Sequence, residues 1–324
     1  MSWLMWTLFI ALVLAMLLLD LLVFHRKAHA VEVSEALKLS AVWIALAMAF
    51  NVLIYFIYEK HWLGYQLPGQ EPDGRAAAVL WFTGYIIEKS LSVDNIFVIA
   101  MVFSYFHIPA KYQHRVLFWG IFGALIMRGL MIGLGAVLIG RFHWMLYVFG
   151  FILILTAARM LFSKRQADPG QNAILRLTRK HFPVTDALYG QRFTTRQQGA
   201  FMLTPLALAL IVVEATDVMF AIDSIPAIFA ITSDPFLVFT CNVFAILGMR
   251  SLYFALAGVL EKFHYLKMSL AVLLGLIGVK MLLKDFLHAV PNITFYTLAV
   301  IAFILGAGVL ASIVRAQRLK DAEK

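Results

Sequence analysis

The chain has 324 residues, 62% of them hydrophobic and 14% charged, against about 45–50% and 25% in an ordinary soluble domain. Its formal net charge is +9, yet the basic residues lie between apolar runs and no segment has the form of a nucleic-acid module, so the charge reads as membrane topology. Cys241 is the only cysteine and sits inside an apolar run, which excludes a disulfide framework and a thiolate metal site.

In chain order the apolar runs fall near 3–24, 36–58, 79–106, 116–140, 144–162, 200–231, 236–260, 268–284 and 292–314. Each is near the length that crosses about 30 Å of hydrocarbon as a helix, the form that satisfies every backbone group within the segment. The pattern predicts an all-α membrane protein of about nine transmembrane helices. The first run has no basic stretch ahead of it, and Arg26 and Lys27 follow it, so it reads as a retained span with its N-terminus outside. Alternating sides from there puts 18 Lys and Arg in inside loops and 4 in outside loops, the bias that keeps basic loops cytoplasmic. The expected organisation is two helices and an outer loop (1–78), a three-helix unit (79–163), a basic cytoplasmic loop near anionic lipid (164–199), a second three-helix unit (200–290), and a last helix with a cytoplasmic tail (291–324). Asp168-Pro169-Gly170 reads as a turn within that loop.

The two three-helix units look alike. Leu125-Ile126-Met127-Arg128 resembles Ile246-Leu247-Gly248-Met249-Arg250, Arg141-Phe142-His143-Trp144 resembles Lys262-Phe263-His264-Tyr265, and Ala158-Arg159-Met160-Leu161 resembles Val279-Lys280-Met281-Leu282. Glu88 and Asp94 are six residues apart, as are Asp217 and Asp223. Three helices is an odd number, so spans 3–5 and 6–8 are expected as inverted repeats, an arrangement that places a polar site near mid-membrane in secondary transporters.

The chemistry lies in the third and sixth spans. Glu88, Asp94, Glu214, Asp217 and Asp223 fall well inside them, and a charge at a helix centre costs about 2.5–3.5 kcal/mol on insertion scales. Lys89, Arg128 and Arg250 are the cations available for pairing, three against five, so pairing alone does not neutralise the set. Asp20, in the first span, is remote from both motifs and is assigned to packing. On a regular helix, acids six residues apart point about 120° from each other. Pro226 removes the hydrogen bond to the carbonyl of Ile222 and is expected to break the sixth span at Asp223, letting side chains converge. Asn95, Ser90, Ser92, Thr216 and Ser224 add neutral oxygens. Oxygen donors without thiolate suit a hard divalent cation: Mg, Ca or Mn.

The strings Glu-Lys-Ser-Leu-Ser-Val-Asp-Asn-Ile-Phe-Val (88–98) and Asp-Val-Met-Phe-Ala-Ile-Asp-Ser-Ile-Pro-Ala (217–227) resemble the TerC family, most closely its Alx-type bacterial members. The likeness runs from the first span to the ninth and includes Asp20, Asn51 and the segment 242–250. It implies a bacterial inner-membrane protein of manganese homeostasis that exports Mn²⁺, together with an older association with tellurium resistance and alkaline response. Carried over residue by residue, it implies a metal path through Glu88, Asp94, Glu214, Asp217 and Asp223. The expectation is then a Mn²⁺ exporter with Asp94, Asp217 and Asp223 as direct ligands and Asn95 lending an amide oxygen. Glu88 and Glu214 serve as ligands or proton carriers, and Lys89, Arg128, Arg250, Ser90, Ser92, Ser224 and Asp20 as ion pairs or polar path. No P-loop string is present, so a gradient is the expected drive. Exchange for protons is natural, because one carboxylate oxygen cannot hold a proton and a metal together. No permanent cofactor, catalytic residue or nucleic-acid partner is expected; the partners are the metal ion and the bilayer. The alternatives are a Ca²⁺ transporter or a membrane scaffold of a metal or tellurium stress-response complex. An intramembrane aspartate hydrolase is disfavoured, since the chain has no Gly-x-Gly-Asp string.

Overall fold

The structure is a computed structural model, described for residues 3–22, 32–62, 73–142, 144–162, 173–197, 199–256, 265–287 and 293–322. Helices stand at every apolar run: α1 (Trp3–Leu22), α2 (Val33–Glu59), α3 (Gly74–Tyr105), α4 (Ala110–Arg141), α5 (Met145–Phe162), then after the basic loop α7 (Pro205–Phe229), α8 (Pro235–Leu247), α9 (Met249–Leu256), α10 (Leu266–Leu282) and α12 (Ile293–Ala322). Helices α2, α4, α5, α7 and α12 are each long and apolar enough to cross a membrane, and α8 with α9 passes the same test only when the bent pair is taken together as one span. Helix α1 is shorter in its apolar part, Trp3–Leu19. Helix α10 has 17 residues, and the apolar character of α3 is diluted by Glu88, Lys89 and Asp94.

Two expectations about helix continuity are corrected. Helix α7 is not broken at Asp223: it runs unbroken to Phe229 with Pro226 inside it. Pro226 lies in the last turn, where the lost bond to the Ile222 carbonyl is one of few remaining, and its own carbonyl still accepts from the Ala230 N–H at 3.0 Å. The break falls instead in the seventh span, where α8 and α9 meet at 41° around Gly248.

Caps set where the helices start. Asp73 accepts from the Ala76 N–H at 2.6 Å, so α3 begins five residues before the expected span at 79. Thr204 caps α7 ahead of Pro205, accepting from the Ala207 N–H while its hydroxyl donates to the Arg192 carbonyl at 2.8 Å. Asp234 caps α8, accepting from the Phe236 N–H at 2.9 Å, and the Tyr58 hydroxyl of α2 donates to its other oxygen. The basic loop expected over 164–199 contains the short basic helix α6 (Ala173–His181). A hairpin of β1 (Thr194–Gln197) and β2 (Ala200–Leu203) follows it, paired antiparallel with Thr194 opposite Leu203. That hairpin is the one departure from all-α structure in regular elements of the described residues. Helix α11 (Lys284–Leu287) is a single turn.

The packing crosses between the two units. Helix α4 lies along α7, α8 lies along α3, and α5 lies along α10. At the last contact the backbones meet: a Cβ on Gly150 would stand 3.0 Å from the Gly278 carbonyl, and one on Gly278 would stand 2.8 Å from the Gly150 carbonyl. Small residues that let helices touch backbone to backbone are the usual cement in lipid, where apolar side chains gain nothing by leaving the bilayer. An aromatic cluster, Phe9, Phe50, Trp81 and Phe244, joins α1, α2, α3 and α8. Large apolar side chains of α4, α5 and α12, such as Leu130, Leu134, Phe151 and Phe303, face outward, as lipid contact requires. The side chain of Asp20, the Asp168-Pro169-Gly170 turn, His143 and the segment 262–264 lie outside the described residues.

Candidate functional site

Helix periodicity sorts the charged residues of α3 onto three faces. Glu88, Ser92 and Asn95 follow a four-then-three spacing, so they share one stripe, and all three are buried. Ser92 donates back to the Glu88 carbonyl at 2.7 Å, and Ser90 to the Ile86 carbonyl at 2.7 Å. Both hydroxyl protons are therefore held by their own helix. Lys89, one residue on from Glu88, faces the α8–α9 break. Asp94 lies well round from Glu88, half-buried, with Lys267 of α10 acting on it electrostatically.

Arg128 of α4 is the organising side chain. It is 1% exposed. Its Nε and one terminal nitrogen take both oxygens of Asp217 at 3.3 and 3.0 Å, and its other terminal nitrogen takes Glu88 and, at 3.2 Å, the Asn242 amide oxygen. Four of the five N–H donors of the guanidinium are thus used. Bidentate carboxylate pairing is the geometry Arg makes best, and a buried ion pair withstands its desolvation only with such further hydrogen bonds. Two oxygens beside this centre lack a donor: Glu88 Oε2 and Asn95 Oδ1, both buried. Asn95, Thr216 and Asp217 also line a cavity of about 10 Å³, room for a single water-sized body.

The α7 motif is split in the same way as that of α3. Glu214 and Asp217, three apart, face α4, and a side chain on Gly123 of α4 would overlap the Glu214 carboxylate. Asp223, six residues beyond Asp217, is turned to α5, where Thr156 donates to it at 2.7 Å and Arg159 acts on it electrostatically. Ser224 is buried, its hydroxyl without a partner.

The five acids therefore do not form one cluster. Glu88 and Asp217 meet at Arg128, Glu214 lies beside them, and Asp94 and Asp223 stand apart. Among the described residues no three His, Cys, Asp or Glu are grouped to hold a metal ion. Of the expected counter-ions, Arg128 pairs with the motif acids. Lys89 instead donates to the Ala245 carbonyl at 3.2 Å, at the end of α8, and Arg250 is buried at the start of α9. Asn242, Thr156, Lys267 and Gly248 touch or act on these charged side chains as well. Asn242 and Thr156 carried a readable signal, an amide and a hydroxyl inside otherwise apolar runs.

Fold and site define a multi-pass helical membrane protein with an ion-paired charged centre inside its bundle. The comparisons specify it further: a family model described as "Integral membrane protein TerC family" matches residues 73–320, and the chain belongs to that family. It is 48% identical over 314 residues to "Uncharacterized membrane protein STKORF319" of Myxococcus xanthus, covering 97% of this chain and 93% of that one. It is 45% identical over 312 residues to proteins of Shigella flexneri and Escherichia coli K12 described as "Putative membrane-bound redox modulator Alx", covering 94% of this chain and 95% of each. No solved structure matches.

Proposed function

We propose that the protein exports a divalent metal cation, Mn²⁺ first among candidates, by alternating access between two inverted units, α3–α5 and α7–α10, of a nine-span bundle in a bacterial inner membrane. The observation that carries this reading is the central pair Glu88–Asp217 on Arg128, with Asp94 and Asp223 each six residues away on opposite helices. Six residues is about 9 Å of helix. With α3 and α7 crossing in opposite senses, as the Lys and Arg bias expects, Asp94 stands on the cytoplasmic side of the centre and Asp223 on the outer side. The acids then form a series: Asp94 receives the ion, the central pair with Asn95 holds it, and Asp223 passes it out. A series of separate stations fits an ion that must leave as readily as it enters better than one deep trap would. Hard oxygen donors favour Mn²⁺, Ca²⁺ or Mg²⁺; the family resemblance selects Mn²⁺. Proton exchange through the carboxylates supplies the drive.

The test is uptake of Mn²⁺, Ca²⁺ and Mg²⁺ into inverted vesicles, with and without a pH gradient. Asp94→Asn and Asp223→Asn should each abolish Mn²⁺ uptake while the protein still inserts, because the amide keeps the volume and removes the attracting charge. Wild-type uptake in both variants sinks the assignment. The relatives' printed description favours one second reading, redox modulation. Cys241 is the only thiol of the chain and is buried in α8, so this reading predicts that Cys241→Ser loses function while the transport reading predicts that it does not.

A further inference from the structure

We infer that Arg128 is a tethered cation that occupies the central carboxylates when no ion is bound, and that the transported cation loads by displacing it. The inference deepens the proposed transport role and rests on it. The guanidinium takes both oxygens of Asp217, one of Glu88 and the Asn242 amide oxygen. These are oxygens of the kind a hard divalent cation needs. Asp217 cannot give both oxygens to Arg128 and still offer them to a metal, so the two cations exclude each other. The surroundings show where the incoming ion has room: Asn95 Oδ1 and Glu88 Oε2 are buried acceptors without a donor, and Asn95 lines the small cavity that reaches Asp217. The carboxylate left for the arginine is that of Glu214, one turn before Asp217 on α7. Glu214 lies against α4 at Gly123, on the side chain's own helix, and offers a carboxylate close to Asp217. Ion loading is then an exchange of partners: the metal takes Asp217, Asn95 and the free oxygen of Glu88, and the guanidinium passes toward Glu214.

Such a device has a functional consequence. An empty site with two bare carboxylates would be expensive in a low-dielectric interior, and returning it across the membrane would require some other cation to fill it. A tethered arginine neutralises the empty carrier without leaving the protein, so the return step carries no ion back. It also lowers apparent affinity, because only the fraction of molecules with Arg128 released can bind.

Arg128→Gln should therefore tighten Mn²⁺ binding to purified protein by about tenfold or more, the change expected when a competent fraction of about one in ten becomes the whole population. Turnover in vesicles should fall at the same time, so that KM and kcat drop together. Arg128→Lys, which keeps the charge and loses the bidentate fork, should fall between. A purely structural arginine would give weaker binding or no folded protein instead. Because Arg128→Gln can fail to fold, the wild-type protein supplies a second measurement. Modification by phenylglyoxal, mapped by mass spectrometry, should be slow at Arg128 in the apo protein and several-fold faster with saturating Mn²⁺, while the exposed Arg141 reacts equally in both. Mn²⁺ that binds while Arg128 stays shielded, or a folded Arg128→Gln variant that binds no tighter, overturns the inference and leaves the transport reading standing. Wild-type protein that binds no divalent cation overturns both.

Discussion

Two buried arginines, Arg128 of α4 and Arg250 of α9, stand in the resembling strings 125–128 and 246–250, and the helices that carry them differ in form. Helix α4 runs 32 residues without interruption, and Arg128 projects from it onto Glu88 and Asp217. Its counterpart is broken into α8 and α9 just before Arg250, and what reaches the break is Lys89 of α3, bonded to the Ala245 carbonyl. Glu88 and Lys89 are neighbours, so one turn of α3 serves both: its acid neutralises the arginine of the unbroken helix and its base satisfies a carbonyl at the end of the broken one. The lesson is that resembling strings take unequal roles in the two places. In α4 the buried charge is tied into an ion-pair network; at α8–α9 a cation serves a backbone carbonyl beside a helix break, a group that needs a partner wherever water is excluded.

This contrast can be broken at its strongest point by Glu88→Leu. Removing one partner of a buried ion pair leaves its mate uncompensated and costs about 3–5 kcal/mol. Thermal unfolding in detergent should show the largest loss of any change considered at the centre. Lys89→Ala should cost less, about 1–3 kcal/mol, the range for losing a charged hydrogen bond, because the lost partner is a neutral carbonyl and removal of a buried charge offsets part of it. A Lys89→Ala loss equal to or above that of Glu88→Leu would mean that the broken helix, and not the Arg128 network, anchors the bundle.

Much of the fold was legible in the sequence because membrane spans declare themselves by length and apolar content. The limits of α2 and α5 lie within three residues of the expected runs, whereas α12 starts where expected but continues eight residues past the apolar run, to Ala322. The division of Glu88 and Asp94 onto different faces was also legible from helical pitch alone, but that of Asp217 and Asp223 was not, because a break at Pro226 was expected to let them converge. Three things were not legible. Pro226 reads as a breaker in any sequence, yet its effect depends on how much helix follows it, and only Ala227, Ile228 and Phe229 do. Gly248 reads as a tolerable glycine; its importance comes from Lys89 and Trp43, which are far away in the chain. The pairing of Arg128 with Glu88 and Asp217 in preference to Asp94 or Asp223 depends on α4 lying along α7, a packing relation that hydropathy does not encode.

The smallest expected effect is also the most discriminating, because it asks why the seventh span is broken where it is. Gly248 has φ −82° and ψ 1°, a conformation open to alanine, so backbone freedom does not explain the glycine. Space does: a Cβ there would stand 2.8 Å from Lys89 Nζ and 3.1 Å from Trp43 Cβ. Alanine is intrinsically better than glycine in a helix by about 1 kcal/mol, and this gain opposes the crowding. Gly248→Ala in the otherwise unchanged protein should therefore shift stability by no more than about 1 kcal/mol, as moving the flexible end of Lys89 offsets the propensity gain. With Lys89→Ala already in place the crowding is largely gone, and the same change should become stabilising. The coupling between the two substitutions should be about 0.5 kcal/mol or more, the lower end for residues in contact. Additive effects would show that Lys89 does not fill the break, and the unequal roles of α4 and α8–α9 would then need a cause other than the lysine beside Glu88.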